Sequence, residues 1–194
     1  MPTQLKQIRQ KLEQLPHQNY WNISPQVGEY LRNLVIKLNV KRLLEIGTSN
    51  GYSATWFAEG LQATGGKMWT VESHAERYAE ATANIAAAGL SNIVTQIKGH
   101  APEILVEYPE IAQIDFAFFD ATKGEYSQYL QAVLPLLSPK GIIVADNVKS
   151  HWDSLSDFVD ATQQLKGYTP KLNLELGTGL LTLIPTPQLS NIDA

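Results

Sequence analysis

Cysteine is absent from the 194 residues. That absence removes disulfides and thiolate metal sites and fits a reducing compartment, so a cytoplasmic location is expected. Long apolar runs are missing too. Nothing approaches the roughly 20 apolar residues of a membrane-spanning helix. The opening stretch, "MPTQLKQIRQKLEQL", is amphipathic and lacks the unbroken apolar core of a signal peptide, so a soluble protein with no membrane partner is expected. Basic charge is not in excess: 15 Lys and Arg stand against 19 Asp and Glu, a formal net charge of -4, which disfavours a general nucleic-acid binder. Internal repeats and low-complexity linkers are lacking as well. With 44% hydrophobic residues the chain can build a real core, so the expectation is one domain over 1–194, with residues 1–20 as an N-terminal helical extension.

What is present is an alternation of helical and strand patterns. "SPQVGEYLRNLVIKLN" offers Ser24 as N-cap, Pro25 at the first helical position and apolar residues at helical spacing. "KRLLEIG" and "KMWTVE" read as the first two strands, "HAERYAEATANIAAAG" as an alanine-rich helix ended by Gly89, and "NIVTQIKG" as the third strand. "IDFAFFDATK" and "GIIVADN" are the fourth and fifth. Between them "GEYSQYLQAVLPLLSPK" is long enough for one helix and a return turn, which makes the two runs parallel neighbours in a right-handed crossover. "DSLSDFVDATQQL" predicts a further helix. "KLNLELGTGLLTLIP" predicts an antiparallel hairpin turning at Gly177-Thr178-Gly179. The fold class expected is α/β, a doubly wound Rossmann-like sandwich whose mostly parallel sheet ends in an antiparallel C-terminal hairpin.

Chemistry gathers at strand ends. Asp120 closes the fourth strand and Asp146-Asn147 the fifth, so hard oxygen ligands emerge side by side from two buried runs and suggest a divalent cation. Upstream, "RLLEIGTSNGYSA" supplies a strand, a glycine-bearing loop and a helix start. Its Gly47-x-x-x-Gly51 pattern is not the G-x-G-x-x-G of dinucleotide enzymes, so a nicotinamide reading loses its best support. Glu72 ends the second strand roughly 20 residues further on, where a carboxylate can accept both hydroxyls of a ribose. Amide donors at Tyr52-Ser53 point at an anionic group, and the carboxylate of a methionine would satisfy them.

These residues resemble the metal-dependent class I O-methyltransferases, the family that includes catechol and caffeoyl-coenzyme A O-methyltransferases. The resemblance runs from "SPQVGEYL" to "LGTGLLTLIP", and its most specific pieces are "LLEIGTSNGYSA", "FFDATKGEY" and "VADN". It implies S-adenosylmethionine as cofactor, with Glu45, Gly47, Thr48 and Ser53 at its methionine end, Glu72 on the ribose and Ala101 at the adenine. Asp120, counted also on the cofactor side, Asp146 and Asn147 would be the metal ligands. Mg²⁺ fits such an incomplete oxygen shell best, with Mn²⁺ and Ca²⁺ as alternatives. Lys123 stands where the family carries a lysine proposed as general base, and a lysine beside a cation gives up its proton more readily. The activity implied is metal-assisted O-methylation of a small catechol-like or vicinal hydroxyl acceptor, by a homodimer.

Departures from the family pattern bear on the acceptor. Few residues precede "ISPQVGEYL", where relatives commonly carry more helix over the substrate, so the expectation is an acceptor pocket that is open or completed by a second subunit. Thr122 stands where many relatives have an acidic residue. His100 reads as a loop residue, His151 and Trp152 either line the acceptor pocket or form a surface turn, and Glu175 reads as an exposed strand carboxylate. Two alternatives are a tRNA hydroxyuridine O-methyltransferase and a non-catalytic S-adenosylmethionine-binding protein. Scattered Lys37, Lys41, Arg42, Lys149 and Lys171 with a net negative chain disfavour the first. The metal ligands together with Lys123 disfavour the second, since holding the cofactor needs neither.

Overall fold

Alternating β and α elements follow the expected order in the computed structural model, which describes residues 3–15 and 20–188. The chain divides into two compact units after Ala101.

The first unit opens with helix α1 (Gln4–Glu13), whose N-terminus is capped by the Thr3 hydroxyl. The other residues of the expected N-terminal extension, 1–2 and 16–19, lie outside the described residues. Helix α2 (Pro25–Lys37) begins as the sequence predicts, with the Ser24 hydroxyl accepting from Val27 N and Pro25 at the first turn. Strands β1 (Arg42–Ile46), β2 (Lys67–Glu72) and β3 (Val94–Lys98) pair in parallel in the order β3-β2-β1. Helix α3 (Tyr52–Thr64) connects β1 to β2, and α4 (Ala75–Ala87) connects β2 to β3.

Helix α1 is fastened to α3 mainly through one buried cation. The Arg9 guanidinium, 5% exposed, lies 3.7 Å from the centroid of the Trp56 ring. It donates to Thr55 O at 2.7 Å, to Thr55 Oγ1 at 3.1 Å and to Glu59 at 2.7 Å. A desolvated charge is tolerated only when paired and hydrogen-bonded in this way. At the other end of α1 the Tyr52 hydroxyl donates to Glu13 Oε1 at 2.9 Å.

The second unit holds β4 (Ile114–Phe119), α5 (Tyr126–Val133), β5 (Leu137–Ala145), α6 (Trp152–Gln163), β6 (Tyr168–Asn173) and β7 (Leu180–Pro185). β4 and β5 are parallel, while β5–β7 and β7–β6 are antiparallel. The strands therefore match the expected class: mostly parallel, with an antiparallel C-terminal pair. That pair differs in detail from the sequence reading. β6 starts three residues earlier than Lys171, at Tyr168, and Asn173 faces Leu180, so the connection is residues 174–179 and not a tight turn at 177–179. The cause is that Thr178 and Gly179 bond away from the hairpin, to Val148, Lys149 and Ser150. Pro170 lies within β6, where an edge position spares its missing N–H.

No helix among the described residues is long and apolar enough to cross a membrane.

The β4–β5 register aligns the site-bearing ends. Ile114 faces Leu137 but Phe116 faces Ile142, so β5 bulges over Ser138-Pro139-Lys140 before Phe119 and Ala145 come level. Gly141 closes the bulge, and a Cβ there would lie 2.4 Å from Ile114 O and 2.9 Å from Leu137 Cβ. Gly141→Ala is therefore expected to destabilise the protein by about 1–3 kcal/mol through overpacking, read as a lower urea midpoint at unchanged slope. An unchanged midpoint would show that the bulge relaxes freely.

Candidate active site

In the first unit the loop after β1 is pinned from behind. Gly47 N and Thr48 N both donate to Val71 O, at 3.0 and 3.2 Å, and Gly47 takes a φ of 103°, which glycine adopts without strain. Beneath the loop the Glu45 carboxylate is fully buried and accepts from Ser53 Oγ at 2.5 Å and from Thr70 Oγ1 at 2.6 Å. The Thr70 hydroxyl also meets the Thr48 hydroxyl at 2.6 Å. Of the residues expected at the methionine end, Glu45 and Thr48 are thus fully buried and Ser53 nearly so, and they form the floor that shapes the loop.

Glu72, at the end of β2, accepts from Ser49 N and from His74 N, each at 2.8 Å. It thereby joins the glycine loop to the start of α4. The Asn50 side chain, fully buried, accepts from Tyr52 N at 3.1 Å, while its carbonyl accepts from Asn84 Nδ2 at 2.9 Å. Asn50 Nδ2 itself is buried without a hydrogen-bond partner. A donor left in that state beside a helix N-terminus is one an anionic ligand group could use. Ala101 is buried just after β3, and His100 before it is exposed.

In the second unit the structure brings Asp120, Asp146, Asn147 and Lys123 together. Asp120 follows β4, and its carboxylate is 3.0 Å from Lys123 Nζ. Asp146 N donates to Phe119 O at 3.0 Å, so the two strand ends are bonded to each other. Tyr126, buried on α5, shares its hydroxyl between Phe119 O at 3.1 Å and Asp146 O at 3.3 Å. Asp146 Oδ1 accepts from Asn147 N and from Thr178 Oγ1, each at 2.6 Å. Burial pushes the Asp146 carboxyl up to about 7, helped by the charge of Asp120 and opposed by those two hydrogen bonds and by Lys123. Burial likewise raises Asp120, against the pull of Lys123 and His151.

The donor set fits a hard cation. Among the described residues no group of three His, Asp or Glu side chains has metal-binding spacing, so the set is two carboxylates and one amide. Asn147 Oδ1 is the telling atom: it is buried without a hydrogen-bond partner. Asn147 also sits at a φ of 70°, in the left-handed region. His151 is the residue before α6, its side chain making no cap bond to the helix but meeting the Ser150 hydroxyl, and it acts electrostatically on Asp120; like it, Trp152, Thr122 and Glu175 are exposed. Sequence reasoning did not find Asn50, Thr70, Tyr126 or Thr178. Thr70 carried a faint signal as a polar residue inside an apolar strand, and Thr178 was hidden between two glycines that read as a turn.

Comparison with known proteins bears on the family and the fold. The profile described as O-methyltransferase matches residues 1–177. A catechol O-methyltransferase from Niastella koreensis is 38% identical over 129 residues, 66% of this chain and 58% of that protein. One from Mycobacterium tuberculosis is 31% identical over 160 residues, 78% of this chain and 71% of that protein. The match to a caffeoyl-CoA O-methyltransferase from Populus kitakamiensis is 33% over 123 residues, 62% of this chain and 52% of that protein, so the chain spans little more than half of some relatives. Among solved structures, the O-methyltransferase TomG of Streptomyces achromogenes, in complex with SAM, superposes with a TM-score of 0.79 at 25% identity, over 96% of this chain and 91% of that one. An O-methyltransferase from Bacillus cereus in complex with SAH shares the fold at a TM-score of 0.80 and 24% identity, over 95% and 91% of the two chains.

The raised Asp146 carboxyl has a measurable consequence in chelator-treated protein. Between its ordinary value of 3.8 and about 7 the folded protein holds a proton that the unfolded chain releases. Stability should therefore fall as pH rises through that window, by at most about 1.4 kcal/mol per pH unit. Urea melts from pH 4 to 8 should show this slope, and Asp146→Asn should flatten it. A slope that persists in the variant would assign the titration to another group.

Proposed function

Because the chain belongs to the O-methyltransferase family, we propose that it transfers a methyl group from S-adenosylmethionine to a hydroxyl of a small catechol-like acceptor, with a divalent cation assisting. What carries the reading is the second unit's donor set: two carboxylates held at strand ends beside an Asn147 Oδ1 that has no donor of its own. An amide oxygen completing two carboxylates suits Mg²⁺, which keeps water or substrate in its remaining positions. The whole of 1–194 is read as one methyltransferase domain, cytoplasmic and homodimeric. Relatives named for catechol and caffeoyl-CoA, together with the net charge of -4, favour a small acceptor over tRNA.

In this reading the first unit seats the donor. The loop from Gly47 to Gly51 would present backbone to the amino-acid end, Asn50 Nδ2 and the α3 N-terminus would supply donors for its carboxylate, and Glu72, held by one amide on each oxygen, would offer its remaining lone pairs to the ribose hydroxyls. The second unit prepares the acceptor. Asp120, Asp146 and Asn147 would hold the cation, which supplies Lewis acidity that lowers the pKa of a bound hydroxyl. Lys123, once released from Asp120 and with its own proton passed to solvent, would take the hydroxyl proton on the neutral Nζ. The ionised oxygen then attacks the methyl carbon in line, the carbon–sulfur bond breaks, and its electrons return to sulfur, neutralising the sulfonium.

Mass analysis after incubation with labelled S-adenosylmethionine and a panel of catechols, hydroxycinnamoyl thioesters and total tRNA tests the reading. A singly methylated catechol is expected, with turnover lost on chelation and restored by Mg²⁺. Full turnover after exhaustive chelation would remove the cation from the mechanism, and label in tRNA alone would replace the acceptor class.

Lys123→Ala should lower the maximal rate at saturating metal by about 10²–10⁴-fold. Acceptors of lower pKa need less help and should show a smaller defect. An equal loss across the acceptor series would make Lys123 a positioning residue and not the base.

A further inference from the structure

Resting on the reading of Asp120, Asp146 and Asn147 as cation ligands, we propose that Thr178 is the positioning residue that sets both Asp146 and Asn147 in ligating orientation. The loop between β6 and β7 would then be a working part of the site and not merely a hairpin connection.

The argument is one of hydrogen-bond polarity. A threonine hydroxyl has one proton to give and lone pairs to receive. Thr178 gives its proton to Asp146 Oδ1 at 2.6 Å, and its oxygen receives Asn147 Nδ2 at 3.1 Å. With the proton committed to Asp146, which is ionised when it holds a cation and so cannot return one, the hydroxyl can face only the donor end of the Asn147 amide. A flipped amide would set carbonyl oxygen against hydroxyl lone pair. The orientation that remains leaves Oδ1 buried and unpartnered, and the amide oxygen is the end that binds a hard cation. Asp146 is set by the same contact. Its Oδ1 already accepts from Thr178 and from Asn147 N at 2.6 Å, so Oδ2 is the oxygen left to offer.

The hydroxyl is itself held in place by backbone. Thr178 O accepts from Lys149 N at 3.0 Å and Ser150 N at 3.1 Å, and Gly179 O accepts from Val148 N at 3.1 Å. The loop thus lies directly against the segment that follows the ligands. Gly179 permits the approach, since a Cβ there would meet Lys149 Cβ at 2.5 Å and Lys149 N at 2.8 Å. A residue bonded to two ligands of one ion typically changes metal affinity about 10–100-fold when lost.

The test is Mn²⁺ binding to the full chain, by calorimetry and by the loss of the free-ion electron paramagnetic resonance signal, with neither methyl donor nor acceptor present. Thr178→Val, which keeps the shape and removes the hydroxyl, should weaken binding about 10–100-fold, and Thr178→Ser should stay within a few-fold of the parent. In an Asn147→Asp background the loss on Thr178→Val should shrink, because a carboxylate has an oxygen on either side and no orientation to set. Should the valine variant not fold, Thr178→Ala gives the same comparison. Parent-like affinity in Thr178→Val would overturn the proposal, as would an equal loss in Thr178→Ser or an undiminished loss beside Asn147→Asp. A parent chain that binds no Mn²⁺ would instead overturn the cation reading on which the proposal rests.

Discussion

Two carboxylates held near each other and away from water repel, and the second unit is built around that constraint. Asp146 is 2% exposed and Asp120 is only partly accessible, so neither charge is well solvated. The protein's own cation, Lys123, pairs directly with Asp120 and reaches Asp146 only through its field. For Asp146 the compensation is dipolar: a backbone N–H and the Thr178 hydroxyl, with the Tyr126 hydroxyl bracing the adjoining carbonyls. Dipoles of this kind lower the energy of one buried carboxylate but do not cancel the repulsion of a second. A pair left in that condition is stabilised by a proton or by a bound cation, which makes the same residues a pH-sensitive element when bare and a ligand set when loaded.

The first unit meets a similar burden with hydroxyl groups. Glu45 is also buried, but the Ser53 and Thr70 hydroxyls both donate to it, and Thr70 ties in Thr48. The chain of hydroxyls connects β1, β2 and the first turn of α3 into one floor, so the loop above cannot shift without breaking a buried network. A rigid floor and a backbone-lined loop suit a ligand recognised mainly by main-chain donors.

Most of the fold was legible because its signals are local. The Ser24-Pro25 start, the buried runs of β4 and β5, and the Gly47 and Gly51 positions each follow from a residue's own backbone preference or from short-range apolar pattern, and each stands where it was expected. The gathering of Asp120 with Asp146 and Asn147 was legible for the same reason, since parallel neighbours deliver what their ends carry. Less legible was anything decided by hydrogen bonds between segments distant in sequence. The β6–β7 connection lengthened because the Thr178 and Gly179 carbonyls accept from Val148, Lys149 and Ser150, far back along the chain. Likewise, no local pattern distinguishes a ligand-facing Glu45 from one turned into a floor of hydroxyls.

Unpartnered buried atoms separate site from scaffold in a way the sequence could not. Asn50 Nδ2 is a donor without an acceptor, at a helix N-terminus where negative charge is favoured. Asn147 Oδ1 is an acceptor without a donor, beside two carboxylates where positive charge is favoured. In each case the polarity of the unmet atom agrees with the sign of the surrounding field, which suits an anionic group in the first unit and a cation in the second under the proposed reading. Trp56 Nε1 is also buried without a hydrogen-bond partner, and there packing decides. It lies 2.3 Å from where a Cβ on Gly28 would stand, so it is pressed against the backbone of α2 with no room for a ligand, and the absence of a side chain at Gly28 is what allows the two helices to meet there. Burial alone would therefore have counted all three, and close packing against α2 is what sets the third apart.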